Sequence, residues 1–445
     1  MNNLQNIHHL LNRAAFGPTL KNISSYSKIS TQKLTQKLFD SSLHYSELNV
    51  VDPNFIPYNR LAQLTEEKRR ELRKKAREEI LTLNKEWLIK MGRTDAILRE
   101  KMTLFWHDHF ACRTQKPIYA QDLNNILRKH SLGNFGEMLM AVSKSPAMIQ
   151  YLNNQQNKAK SPNENFAREV MELFTLGRDN YTEDDIKNAA RAFTGWGINP
   201  NGKFVFRRKQ HDFGTKKLLG VKGNFGGEDV IKIILDKKQT ARYVTEKIYK
   251  YFVNEQLNSE HVDLLTSKFY NSGYDIGALM NTIFTSDWFY TSENRSRIIK
   301  SPVELFTGYA RLLPFKEIKK RNVLQIQRAL GQVLFMPPNV GGWPYGKEWI
   351  NSTSIIFRMQ LPYNFISHPK GNRRNPLALN VDWPLFYNKT KSFDTNELAM
   401  LILGKQPDAN EQQLIDKSTR RVEGLSAKKA IETVTWLSMP EYQLA

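Results

Sequence analysis

Apolar positions that recur every three or four residues run through most of the chain, which is the spacing of helices that bury one stripe. The clearest case spans 65–91, where Leu72, Ala76, Ile80, Leu83 and Trp87 share a side. Thr65, followed by Glu66 and Glu67, suits the start of this helix. Its hydroxyl can accept from a free amide, and the acids meet the positive end of the dipole. The same periodicity predicts helices over about 97–110, 163–176, 229–253, 262–269, 276–284 and 303–313. Gly177 is expected to stop the one that begins at 163. Thr182, with Asp185 three residues on, reads as a reciprocal cap opening TEDDIKNAARAF.

Two stretches break the rhythm. Between 195 and 227 glycines become dense and KFVFRR alternates, which predicts a short hairpin with loops. Residues 362–392 are rich in Pro and Asn and lack helical period, so they read as an irregular connection. The expected fold is mainly α: a large multi-helix domain over 1–361 with a small β-hairpin insert at about 195–227, a linker over 362–392, and a C-terminal helical unit over 393–445. Serine-led turns recur in MLMAVSKSPAMIQYL, ALMNTIFTSDWFY and AIETVTWLSMPEYQL. Their uneven spacing indicates shared helix-ending chemistry rather than a solenoid.

Charge narrows the partners. Lys and Arg number 65 against 44 Asp and Glu in 445 residues, a net charge of +21 with pI near 9.7. That balance favours an anionic substrate or polymer. Nucleic acid is the weakest of these expectations, because the basic run EEKRRELRKKAREE has no interleaved aromatics on which bases could stack. Its ordinary reading is a solvated helix face with i,i+4 ion pairs. The single cysteine, Cys112, excludes an intramolecular disulfide and a cysteine zinc cluster. No apolar run approaches the roughly 18 residues of a membrane span. The N-terminus lacks the pattern of a signal peptide, so a cytoplasmic product is expected.

The familiar catalytic signatures are absent: no HExxH, phosphate-binding loop, GxSxG elbow or dinucleotide fingerprint. What remains is polar groups set among apolar ones. In LREKMTLFWHDHF, His107 and His109 point to nearly opposite sides of a helix, so both would reach one metal only where the helix ends or bends. In SPNENFAREVMELFTLG, Glu164, Arg168 and Glu172 lie four apart, the spacing of an ion-pair ladder. Glu169 and Glu172 lie three apart, the spacing that carboxylates use in helical di-metal sites. In RRKQHDFGTKKLLG, His211 and Asp212 sit in a basic loop, which suits an acid/base pair at an anionic substrate or, more plainly, a solvated hairpin. Trp196 and Trp343 would line a cleft or pack in the core.

The runs HHLLNRAAFGP, MTLFWHDHFA, SPNENFAREVMELFTLG, AFTGW, HDFGTKKLLG, KSPVELFTG and FMPPNVGGWP, in that order, resemble the bacterial domain-of-unknown-function family numbered 1800. The ending PEYQL extends the resemblance over essentially the whole chain. It implies a mostly helical fold and export in many bacteria. It also implies a genetic neighbour resembling phosphatases and sulfatases as a partner. The polar motif residues that it carries over are His9, Arg13, His107, His109, Asn163, Glu164, Arg168, Glu169, Glu172, His211 and Asp212. Asp108 stands where the family often has Asn, so no essential acid role is expected of it.

Two functional readings follow. In the first, the protein is a metal-dependent enzyme, hydrolytic or oxidative. His107, His109, Glu169 and Glu172 would hold Zn, Fe or Mn, while Glu164, Arg168, His211 and Asp212 would serve the chemistry. In the second, it is a non-enzymatic binding protein for an acidic polymer or partner protein, and the same residues form a buried polar network. A single basic patch around 207–217 and 370–374 would favour a polymer site.

Overall fold

Thr65 caps the Glu66–Arg93 helix by accepting from the Lys68 amide. Thr182 and Asp185 form the reciprocal box that opens the Glu183–Ala192 helix. Chemistry of this kind recurs through a computed structural model that describes residues 2–20, 28–52, 64–366 and 379–445. Among these residues the chain forms twenty α-helices, and its strands make three two-stranded antiparallel sheets, so the fold is mainly α. The helix expected over 229–253 divides into Gly227–Leu235 and Lys238–Phe252. The 163–176 segment begins as an α-helix, Asn165–Met171, and widens into a π turn over Glu172–Leu176. Of the serine-led turns, Ser145 caps its helix, but Ser286 donates back to the Thr282 carbonyl instead.

The insert holds two hairpins rather than one. Strands β1 (Trp196–Ile198) and β2 (Phe204–Phe206) pair across a loop where Asn199 Oδ1 accepts from the amides of Asn201 and Lys203. Strands β3 (Lys216–Leu218) and β4 (Val221–Gly223) turn through Leu219 and Gly220, both at positive φ, as two-residue hairpins require. Leu219 is unusual there, and its amide is held by Asp185 Oδ1 at 2.6 Å. Three-residue strands are too short for a period-two pattern to announce them.

One apolar core runs from Ile7 to Tyr442 without interruption. The stretch 362–392 contributes regular structure to it. Strand β5 (Phe315–Glu317) pairs with β6 (Asn380–Val381), and Asp382 caps the Trp383–Thr390 helix, which packs on the Leu425–Leu437 helix. Its middle, 367–378, lies outside the described residues, as do Lys370–Arg374 of the expected basic patch. Among the described residues no helix is long and apolar enough to cross a membrane.

Candidate functional site

The Ile97–His109 helix is buried on every face; twelve of its thirteen residues are inside. The side shared by His107, Glu100 and Thr103 is therefore not a solvated one. Glu100 is fully buried and receives both Arg128, at 2.6 and 3.0 Å, and the Trp87 indole at 2.8 Å. His107 Nε2 accepts from the Phe335 amide at 3.1 Å, which puts the ring proton on Nδ1. Burial, with Arg128 adding to it, brings His107 down to about 3. His109 points the other way, and its Nε2–H donates to the Phe174 carbonyl at 3.1 Å among Phe105, Phe110 and Phe135. Burial holds it well below the ordinary imidazole value too.

Asp108 has a structural task. Its Oδ1 accepts from the Trp343 amide at 2.8 Å, and Gly342, at φ +92°, passes so close that any Cβ would strike the carboxylate. The paired glycines of PNVGGWP permit this approach. Burial raises the Asp108 carboxyl to about 6 against the pull of that amide and of Lys247. Trp196 and Trp343 are both buried.

Arg168 grips Glu183 with two nitrogens, at 2.8 and 2.7 Å, and reaches Glu164 at 3.3 Å. The Glu183 hydrogen bonds raise its pKa above the usual guanidinium value. Glu172 accepts from the Tyr181 hydroxyl and from Arg178 Nε at 2.8 Å, and these lower its pKa. Glu169 is half-buried and accepts no hydrogen bond from a described residue. Burial first, then Glu172, pushes its carboxyl upward.

His211 and Asp212 do not form a dyad. His211 Nδ1–H donates to the Thr194 carbonyl at 2.9 Å, whereas Asp212 takes Arg191 Nε at 2.7 Å and the Gly214 amide at 2.8 Å. Burial keeps His211 below its ordinary value, and the Arg191 hydrogen bond does the same for Asp212. The His211 ring lies between Phe206 and Phe213, with centroids 5.1 and 4.7 Å away.

The expected ligand set of His107, His109, Glu169 and Glu172 is not assembled. The histidine rings face opposite ways, toward the amide of 335 and the carbonyl of 174, and Glu172 is taken by Tyr181 and Arg178. Among the described residues no group of three or more His, Cys, Asp and Glu is placed to hold a metal ion.

The fold does gather a charged centre that the sequence reading left unassigned. Glu304 is buried and receives Lys101, also buried, from 203 residues away. Around them lie Arg13, Lys300 and Arg358, all buried, and Glu255 also acts on Arg13. Burial brings Lys300 down to about 7, and Arg13 and Arg358 to about 10. Burial alone would raise Glu304, but Lys101 reverses that and leaves it below the usual carboxyl value. Arg13 spends Nη2 on the Asn294 carbonyl at 2.8 Å, while its Nε and Nη1 find no acceptor among the described residues. Lys300 donates to the Tyr442 carbonyl, and Arg358 to the Lys300 carbonyl and Gln443. A signal was present: Lys101 stands midway between Ile97 and Phe105 at i,i+4 spacing, a charge inside an apolar stripe. Glu304 was masked because S-P-V-E also reads as a helix cap, which it forms with Ser301.

The architecture is thus that of a helical protein whose motif residues are held partly in buried clusters, as at His107 and His109, and partly in ion pairs nearer the surface, as at Arg168 and Asp212. The chain belongs to the family described as Protein of unknown function (DUF1800), matched over residues 9–444. No curated protein and no solved structure matches it.

Proposed function

We propose that this protein is a non-catalytic binding protein for an acidic polymer, which it holds on the insert formed by β1–β4. The observation that carries this reading is a set of exposed aromatic and basic residues on the insert. Phe206 and Phe213 are 44% and 47% exposed on either side of His211, and the Arg208 guanidinium lies 5.2 Å from the Phe213 ring. Arg208, Lys209, Lys217 and Lys222 are exposed and make no ion pair with a described residue. Exposed rings offer flat apolar platforms to sugar or polymer backbones, and unpaired cations attract acidic groups along them. The reading also accounts for the motif residues. All of the expected site residues except Glu169 are engaged by partners within the fold, as members of a structural network would be.

Binding to polygalacturonate, followed by biolayer interferometry at several salt concentrations, tests it. Affinity is expected to fall steeply with salt. It should drop at least tenfold in Lys209→Glu/Lys217→Glu and in Phe213→Ala, with helical content unchanged. Equal binding by these variants, or none by the wild type, overturns the proposal.

A second reading, the metal-dependent enzyme acting on an anionic substrate, draws on Glu169, whose half-buried carboxyl accepts no hydrogen bond from a described residue. Near-stoichiometric Zn, Fe or Mn by elemental mass spectrometry, lost in Glu169→Ala, would put that reading first.

A further inference from the structure

Away from the insert, a cavity of about 750 Å³ opens between the Thr31–Leu43 helix, the end of the Glu66–Arg93 helix and the 310–318 segment. That volume lies in the range of about 300–1,000 Å³ usual for small-molecule sites. Small residues leave the space. Gly92 and Ala310 both line it where their helices cross, and a Cβ on Gly92 would stand only 3.1 Å from that of Ala310.

The wall has two parts. Its floor is apolar: Leu11, Leu34, Leu38, Ile97, Leu312 and Phe315 are buried there, while Ile89 and Ile318 are half-buried. Its charged residues stand outside that floor, with Lys37, Arg93, Asp95 and Lys389 exposed and Arg311 half-buried. Arg311 donates Nε to the Gly17 carbonyl at 3.1 Å. Lys37, Arg93 and Lys389 make no ion pair with a described residue. The residues outside the described set include no Asp or Glu that could supply one.

Helix ends temper this charge without reversing it. The helices Glu66–Arg93, Pro302–Leu312 and Trp383–Thr390 each bring a negative end to the wall, and Ile97–His109 brings a positive one. Each end is equivalent to about half a charge, so with Asp95 set against four cations the mouth stays positive by about one to two charges. A hydrocarbon chain on the floor with one acidic head at the mouth satisfies both parts. A small polar anion would leave the apolar floor against water, and a neutral chain would leave the cations unmatched.

We propose that this cavity binds a single-chain fatty acid, with its chain against Leu34, Leu38 and Phe315 and its carboxylate at the mouth beside Lys37, Arg93 and Lys389. The site shares no residue with the insert and does not rest on the polymer-binding reading.

Displacement of cis-parinarate, a fatty acid that fluoresces once out of water, from the full chain tests the site. Dodecanoate is expected to displace the probe. Butanoate should be at least a hundredfold weaker, because each buried methylene is worth about fourfold. Dodecanol, which has the chain without the charge, should be at least tenfold weaker. Lys37→Glu/Lys389→Glu, at two exposed positions, should weaken dodecanoate at least tenfold and leave dodecanol unchanged. Ile318→Trp narrows the cavity and should weaken both. Lys209→Glu/Lys217→Glu on the insert should leave dodecanoate binding as it is, which separates this site from a general attraction to a basic chain. No probe binding by the wild type, dodecanol bound as tightly as dodecanoate, unchanged affinity in both cavity variants, or an equal loss in the insert variant would overturn the site. None of those results bears on polygalacturonate binding.

Discussion

A histidine buried without charge ties stability to pH. His107 is held near 3 and His8 near 4, and His9 and His109 lie well below the ordinary value, in each case chiefly through burial. On unfolding below about pH 6.5 all four take up protons. Their contribution is therefore complete above that value and is lost as pH falls toward their folded values. Asp108, raised to about 6, and the raised carboxyls of Glu169 and Asp122 work in the opposite sense, but the four fully buried histidines outnumber them. At pH 5 each such histidine costs on the order of 2 kcal/mol. The denaturant midpoint is expected to fall markedly between pH 7 and pH 5. His107→Gln, which keeps an acceptor for the Phe335 amide, should remove part of that slope. A midpoint that is flat or higher at pH 5 would contradict this account. The opposed directions of His107 and His109 were legible from 100° per residue alone. Their partners were not, since they come from 228 and 65 residues away.

At the scale of elements, caps and stops were legible because they are local chemistry. Thr65, Thr182 and Gly177 act where the sequence placed them. The π turn over Glu172–Leu176 was not, because its cause is tertiary. Widening the helix leaves carbonyls for side chains that arrive from elsewhere. Tyr243 donates to Leu173 at 3.0 Å, His109 to Phe174 at 3.1 Å and Gln239 to Leu176 at 3.0 Å. Gly177 then turns away at φ +78°, where a Cβ would meet the Tyr243 ring at 2.8 Å. Gly177→Ala combines an unfavourable backbone with a clash and is expected to cost about 2 kcal/mol or more. Urea denaturation measures it, and a cost below about 0.5 kcal/mol would show that the turn relaxes freely.

At the scale of the molecule, the two ends of the chain close on each other. His8 reaches Ile402, Lys300 reaches the Tyr442 carbonyl, Arg358 reaches Gln443, and the Ala445 amide donates to the Ile298 carbonyl. Trp436, Leu437 and Tyr442 sit in the same core as Leu10 and Phe16. A chain cut after residue 392 would uncover Tyr309 and strip Lys300 and Arg358 of partners while leaving their charges inside, which is costly. Residues 1–392 are expected to aggregate or to unfold without cooperativity, and adding 393–445 as a separate piece should restore some cooperative unfolding. A 1–392 fragment with a sharp transition near that of the full chain would show instead that the main helical unit stands alone.

The sequence by itself determined what local spacing and chemistry control. It determined the helical class, most helix boundaries and caps, the hairpin-bearing insert, the lack of a membrane-spanning helix among the described residues and, through its motifs, the family. Only the tertiary structure decided which polar groups meet. Lys101 and Glu304 are 203 residues apart, Arg13 and Asn294 are 281 apart, and neither pair leaves a mark on periodicity. A buried charge must find its partner wherever the chain brings one, because an unpaired charge in the interior is not tolerated. For that reason the motif residues expected to ligate or catalyse are largely held by partners from distant parts of the chain, which no local pattern could reveal.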